Sequence, residues 1–500
     1  MFDSVSPDII PLILQNLDRK SLLAAILTER RFAEPGLNQL WRDIDSFQPL
    51  VSCLPGDLFI VRPFPGGRLY DLKRPVELSD FRRYRDQYAF RIRTLRVNYA
   101  AATMKMTGEL LLALHFATSH IPGALFPRLR EVRWASPGGS VSSHLPLFLP
   151  PTLSSLLFYG PQGPLQETSL HVIAQRVTSL QTLCISSPDA NPLFIDKFIT
   201  KSLQGHNLQK LEMPHASMVT LQHLSTLPQL EAIHLFEQFS LPCTYPPGEP
   251  PILPTEDRFP ALKALEIRAE RLSDFLGIIQ FFPPRNCLQS LSVDTDELAT
   301  FTEIQDVVST IALHLNPSTF QNLNLVTNTN RDGYNEPLDR TPDELVDISP
   351  LFRFGLLRTC RLELPSHDIS FSQDHITQMA TSWTRMEALI LQEAVSTRTP
   401  TLDHRGIVEL LAGMPALREV CLRFDASRIQ GNETPTFTPH GLSSMTICQS
   451  PIQSPSRVAQ FLAAHCPSLK KLPRAYVEHK YAAPLVMDRW IEVARLLALR

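Results

Sequence analysis

A chain of 500 residues exceeds one ordinary compact domain, although an array of repeats can use such a length as one continuous body. Its formal net charge of -3 gives no electrostatic pull toward nucleic acid or an anionic membrane surface. The cysteines at 53, 184, 243, 287, 360, 421, 448 and 466 are dispersed, with no Cys-x-x-Cys pair of the kind that holds zinc or forms a redox couple, so reduced thiols, several of them buried, are expected.

Met1-Phe2-Asp3 lacks the basic region and apolar core of a signal peptide, and no apolar run reaches the ~18 residues that a bilayer span requires. The expectation is a soluble intracellular protein, cytoplasmic and/or nuclear, with no membrane or nucleic-acid partner.

From Val5 to Trp41 the spacing predicts three short helices joined by tight turns. Ser6 is a good N-cap, and Pro7 suits the first helical position because its missing N–H would have no intrahelical partner there. Ile9, Ile10, Ile13, Leu14 and Leu17 recur at helical spacing. After the turn Asp18-Arg19-Lys20-Ser21, the stripe resumes with Leu22, Leu23, Ile26 and Leu27, and Phe32, Leu37, Leu40 and Trp41 close the set. Roughly forty residues with this much apolar surface are marginal as a free-standing core, so part of the surface is expected to meet a partner. A purely structural role, as the core of a helical cap for whatever follows, is the plainer alternative.

Residues 55–88 read as a connector rich in Pro, Gly and Arg. Arg68, Lys73, Arg74, Arg82, Arg83 and Arg85 are interleaved with Asp71, Glu77, Asp80 and Asp86, which predicts a solvated surface rather than a phosphate site.

From Ile92 onward one pattern recurs: apolar, two variable residues, apolar, one variable residue, apolar. Thirteen copies run from Ile92-Leu95-Val97 and Leu129-Val132-Trp134 to Leu417-Val420-Leu422 and Leu442-Met445-Ile447, and a partial copy at Leu469-Leu472 ends the series. The period is irregular, roughly 22 to 37 residues, which overlaps the range of leucine-rich repeats and exceeds it where loops are inserted. Helical stretches such as HVIAQRVTSL, FTEIQDVVSTIALHL and SRVAQFLAAHC lie between copies. Strand, loop, helix is therefore the expected unit. Since one unit alone leaves an apolar face uncovered, stacked units should form a curved parallel sheet with helices outside it. The position three after the last apolar residue, usually Asn or Cys in such repeats, is here mostly Pro, Ala or Ser, with Pro137, Pro161, Pro188 and Pro365 standing there and only Asn328 fitting, so the usual asparagine ladder is absent or replaced.

Strand side chains alternate faces, which puts the residues flanking the last two apolar positions on the inner surface. Arg96, Glu131, Arg133, His234, Phe236, Glu266, Arg268, Arg361, Glu363, Glu419 and Arg423 are the candidate target-binding residues. Their mixed signs suit a protein ligand better than a polyanion.

Two inserts interrupt the array. Leu241–Pro254 is dense in proline and reads as a stiff extended loop. Asn328–Asp339 has the outline of a calcium loop but lacks Asp at its first position and Glu at its last, and it follows a strand, so no metal is assigned. Residues 476–500 should end in an amphipathic capping helix from Pro484 with Met487, Trp490, Val493, Ala494 and Leu497 on one side. No Gly-rich phosphate loop, Gly-x-Ser-x-Gly elbow or His-Glu-x-x-His motif occurs. His215 and His223 lack partners at suitable spacing, and Asp294, Asp296 and Glu297 read as a solvated acidic patch. Neither catalytic residues nor a cofactor are assigned.

The N-terminal stretch resembles an F-box of the fungal type that is followed by leucine-rich repeats. The resemblance rests on Pro7-Asp8-Ile9-Ile10, Leu22-Leu23 and Arg30-Arg31-Phe32 in an unbroken register, continued by Leu40-Trp41-Arg42-Asp43 and Pro55-Gly56-Asp57. Val5-Ser6 stands where the family usually has Leu-Pro, and Thr28-Glu29 where it has an apolar residue followed by Cys or Ser. The resemblance implies a short three-helix F-box over residues 1–54, the connector, an α/β leucine-rich-repeat solenoid over 89–475, and the cap. It further implies that Pro7, Ile9, Ile10, Ile13, Leu14, Leu17, Leu22, Leu23, Leu27 and Phe32 divide between the F-box's own core and its contact with the Skp-type adaptor of a cullin-RING ubiquitin ligase. The repeats would then hold a target protein, and no residue of this chain would perform covalent chemistry. The other reading is a repeat scaffold with a degenerate F-box and no ligase role.

Overall fold

A computed structural model describes residues 6, 8–98, 102–118, 121–135, 142–159, 164–186, 192–203, 207–239, 258–279, 282–327, 344–365, 367–392, 399–435, 441–447, 450–469, 472 and 484–498. Leu241–Pro254 and Asn328–Asp339, and with them the calcium-loop outline, lie outside the described residues, as do Cys243 and Cys448. Among the described residues no helix is long and apolar enough to cross a membrane. The chain forms two compact units, Met1–Leu230 and Glu231–Arg500.

Each unit is α/β and built on a parallel sheet. In the first, Thr94–Asn98, Glu131–Ala135, Ser155–Tyr159, Thr182–Ser186 and Lys210–Met213 follow one another in the sheet, with the short strand Asp43–Ile44 added beside Thr94–Asn98. Their middle apolar residues share one register: Ile44, Leu95, Val132, Leu156, Leu183 and Leu211. Every one of them is buried. In the second unit Ala232–Phe239, Ala264–Ala269, Ser290–Thr295, Asn322–Thr327, Thr359–Glu363, Ala388–Gln392, Glu419–Cys421 and Ser444–Thr446 do the same around the buried row Ile233, Leu265, Leu291, Leu323, Cys360, Leu389, Val420 and Met445. All thirteen full copies of the apolar pattern thus carry a strand. Helices such as Gly108–Ala117, Phe301–His314, Gln373–Ser382 and His404–Gly413 lie between them in sequence, and Pro455–His465 follows the last. A parallel neighbour requires such a crossover.

Polar residues at the turns replace the asparagine ladder. Asn286, which is buried, donates from Nδ2 to the carbonyls of Pro283 at 2.8 Å and His314 at 2.9 Å, while its Oδ1 accepts from Leu288 N–H at 3.2 Å. Asn316 donates in turn to the Asn286 carbonyl at 3.1 Å. These amides close the backbone at the turns leading into neighbouring strands, where a buried carbonyl would otherwise go unpaired. At the end of the second unit, helix Pro484–Ala498 seats Trp490 beside Phe424, with its indole N–H on the Ser450 carbonyl at 2.7 Å; Val493 is also buried.

The stretch read as a connector is more structured than its composition suggests. Phe59–Phe64 and Gly67–Leu72 form an antiparallel hairpin whose second strand pairs with Met104–Met106. Pro65 presets φ for the turn and Gly66 takes φ +90°, which an L side chain rarely adopts. A Cβ at Gly67 would lie 2.0 Å from the Thr103 carbonyl oxygen, so only glycine allows that approach. Helix Leu78–Gln87 follows, started by a reciprocal Glu77–Asp80 capping box. Arg74 joins the two ends of the segment, bidentate on Asp80 at 2.8 and 2.9 Å and on Asp57 at 2.9 Å. That guanidinium, with the Glu77 N–H behind it, holds the buried Asp80 carboxyl below the usual range against the opposing effect of burial.

Two predictions follow from these contacts. Replacing Asn286 by Ala removes the amide partner of the His314 carbonyl and of the Leu288 N–H, while the Pro283 carbonyl keeps the backbone N–H of residue 286, and should cost about 2–3 kcal/mol, read from the urea midpoint. Since the folded-state pKa of Asp80 is depressed, the Arg74 contact is fully stabilising above the unfolded value near ~4 and is lost as pH falls through the folded value. Arg74→Met should therefore lower the melting temperature at pH 7 and narrow its difference from the parent below about pH 4.

Candidate protein-interaction surfaces

Three helices precede the first sheet: α1 (Ile9–Leu14), α2 (Arg19–Thr28) and α3 (Arg30–Arg42). α1 starts at Ile9 rather than Pro7, with Asp8 at its N-cap, and Pro7 lies outside the described residues. α2 begins one residue into the expected turn because the Asp18 carboxylate caps it, accepting from Ser21 N–H at 2.8 Å.

The apolar residues of these helices divide into two sets. Ile10, Leu14 and Leu22 are buried together, with Ala25, Ile26, Phe32 and Leu40 packed against them. Ile9, Ile13 and Leu17 recur every fourth position on the exposed side of α1 and just beyond it, joined by Leu12; Leu23 and Leu27 do the same on α2. Leu27 is 79% exposed and Leu12 56%. Of the residues assigned to adaptor binding, Ile9, Ile13, Leu17, Leu23 and Leu27 are thus open, Ile10, Leu14 and Leu22 are in the core, and Phe32 is half-buried. Leu12 was not assigned by the sequence reading, although it lies one helical turn from Ile9 and belongs to the open set. Thr28 donates to the Ala25 carbonyl and Glu29 pairs with Arg31, so the polar pair that departs from the family pattern is engaged locally at the α2–α3 junction.

α3 ties this group to the first sheet. Trp41 stacks on Tyr88 with ring centroids 4.2 Å apart, and the buried Arg91 guanidinium holds Glu34 at 2.8 Å and also reaches Asn38. Asp43–Ile44 then enters the sheet directly.

On the sheet of the first unit, Arg96 faces Arg133 in register, and Arg133 is drawn to Glu131 at 2.7 Å. On that of the second, His234, Glu266, Ser292, Asn324, Arg361 and Ile390 form one cross-strand row. His234 lies 3.6 Å from Glu266, Arg361 binds Glu363 at 2.7 Å, and Arg268 binds the buried Asp296 at 2.8 Å. Asn324 donates to Ser292 Oγ at 2.8 Å and reaches Asp294 at 3.4 Å. Burial and the nearby Glu266 push the Asp294 carboxyl up, while Arg361 and Arg268 oppose them. Glu419 is exposed and Phe236 half-buried. Arg423, expected on the open face, is instead buried beside Phe424 and Asp425 in sequence, where the strand Glu419–Cys421 has already ended.

Asp296 and Glu297 are ion-paired with Arg268 and Arg271. Burial lowers the pKa of His215, with Asp196 opposing, and of His223. Burial pushes the Cys360 and Cys466 thiols up to about 12. Among the described residues no group of three or more His, Cys, Asp and Glu side chains is placed to hold a metal ion. No protein-family model matches the chain, and no curated protein matches its sequence.

Proposed function

We propose that the chain is a substrate-recruiting subunit of a Skp-cullin-RING ubiquitin ligase: an F-box with a leucine-rich-repeat solenoid, of the fungal type it resembles in sequence. The observation that carries the reading is the open apolar stripe Ile9, Leu12, Ile13, Leu17, Leu23 and Leu27, beside a second stripe that already fills the core. A helix that is apolar on two faces needs cover on both. Burying one such side chain is worth ~1.5–3 kcal/mol, so leaving six uncovered is costly unless a partner takes them. The adaptor is the partner this reading assigns to that stripe, and the polar, ion-paired sheet faces are the surfaces it assigns to a target protein. The fixed connection through Trp41, Tyr88, Arg91 and Asp43–Ile44 suits a subunit that must hold a target at a set distance from an adaptor.

Ile13→Asp combined with Leu27→Asp changes only exposed positions and should leave the circular dichroism and melting temperature nearly unchanged. In a pull-down with purified Skp-type adaptor, the parent should bind and this variant should bind at least a hundredfold more weakly. A well-folded parent that fails to bind the adaptor would refute the ligase reading in favour of a repeat scaffold.

A further inference from the structure

One face of the second unit's sheet changes character from strand to strand. Its first row, Ala264, Ser290, Asn322, Thr359 and Ala388, is half-buried and uncharged. The next row opens on the exposed Glu266, passes through Ser292 and Asn324, and reaches Ile390 beyond Arg361. Ser290, Ser292, Asn322 and Asn324 thus form a neutral patch on two adjacent strands, each side chain able to donate and to accept. Among the described residues no hydrogen bond of the chain engages the Ser290 or Asn322 side chain. Asn324 gives its Nδ2 to Ser292 and Asp294, but among the described residues its buried Oδ1 has no donor, which is costly for a carbonyl shielded from water.

Charge on the two flanks of this patch is unequal. On one side Arg361 is neutralised within the sheet by Glu363 at 2.7 Å. On the other, Glu266 and Asp294 stand on neighbouring strands one step apart diagonally, about 8 Å at Cα from strand spacing and rise. The arginines that act on Asp294, Arg361 and Arg268, each already bind another acid. Glu266 has His234 at 3.6 Å, which brings no charge in its neutral form.

We propose that this face takes an extended, unphosphorylated segment of a partner protein, with a lysine or arginine seated over Glu266 and Asp294 and an apolar side chain about four residues further on seated over Ile390. The neutral patch between them meets the segment's main chain, whose N–H and C=O groups match side chains that both donate and accept. The spacing follows from the sheet. Strand Ala388–Gln392 lies three steps from Ser290–Thr295, about 14 Å at ~4.8 Å per step, and an extended chain covers that in about four residues at ~3.3 Å each. The same two carboxylates repel a phosphorylated segment, so a phosphate beside the basic residue should expel it. A saccharide is a poorer fit, because such ligands favour sites lined by aromatic side chains, and His234 and Phe236 stand two strands away from Ser290–Thr295. The proposal rests on the assignment of the sheet faces to a target protein and adds the chemistry of the segment; it involves neither α1 nor α2.

The test uses the full chain and immobilised peptide libraries of the form Lys-x-x-x-Leu and Glu-x-x-x-Leu, where x is any uncharged residue. The parent should bind the lysine library about tenfold more tightly than the glutamate library, and about tenfold more tightly than Lys-x-x-x-Asp. Glu266→Gln combined with Asp294→Asn should remove the preference for lysine, and Glu266→Gln alone, at an exposed position, should lower it about threefold. Asn322→Ala should weaken binding of the lysine library several-fold and leave the charge preference in place. Circular dichroism and the adaptor pull-down should match the parent in all three variants. Equal binding of the lysine and glutamate libraries, or an undiminished preference in the folded Glu266→Gln and double variants, would overturn the proposal. So would tighter binding when a phosphoserine is placed beside the lysine, or tighter binding of a neutral glucose oligosaccharide than of the lysine library. Lysine preference in a parent that fails to bind the adaptor would support this surface and remove the ligase role alone.

Discussion

The fold depends on one repeated placement: the middle apolar residue of each strand meets the middle apolar residue of the next, and both are buried. In the second unit that row runs without a slip from Ile233 through Leu265, Leu291 and Leu323 to Met445. A shift of one residue would turn every such side chain to the opposite face, so the pairing is specified strongly by burial. The loops then meet their own requirement separately, with Asn286 and Asn316 satisfying carbonyls that the strands leave behind. The sheet can therefore accept inserts of varied length without losing its register.

The same constraint explains why the N-terminal helices differ from the rest. A helix between two strands buries its apolar side against its own unit, as Ile304, Val307, Val308 and Ile311 do in Phe301–His314. α1 has only the small group around Ile10, Leu14 and Leu22 to pack on, so its remaining apolar residues stay open. The apolar content there exceeds what the local fold buries. On the sheets, by contrast, charged side chains such as Arg133, His234, Arg268 and Arg361 already face acidic partners.

Much of the fold was legible because strands of a buried parallel sheet write their alternation into the sequence. Leu-x-x-Leu-x-Leu located every strand of the array from Thr94–Asn98 to Ser444–Thr446, and Pro484 marked the start of the last helix. The hairpin at Phe59–Phe64 and Gly67–Leu72 was not legible, since Arg62, Pro63, Arg68 and Asp71 interrupt any alternation; only Pro65-Gly66 signals the turn. The candidate surfaces were readable in part. Periodicity gave the apolar stripe on α1 and α2 but could not say that Ile10 turns inward and Ile13 outward, because both positions satisfy helical spacing. Arg423 was misplaced because its strand ends at Cys421, two residues earlier.

The central claim is that the exposed face of α1 and α2 is a docking surface. Amide hydrogen exchange of the full chain, with and without the purified Skp-type adaptor, tests it most directly. The account predicts slowed exchange concentrated in residues 9–28, with the strands of both units unchanged. Protection spread over the sheet strands with none in α1 and α2, or no protection anywhere at saturating adaptor, would contradict it.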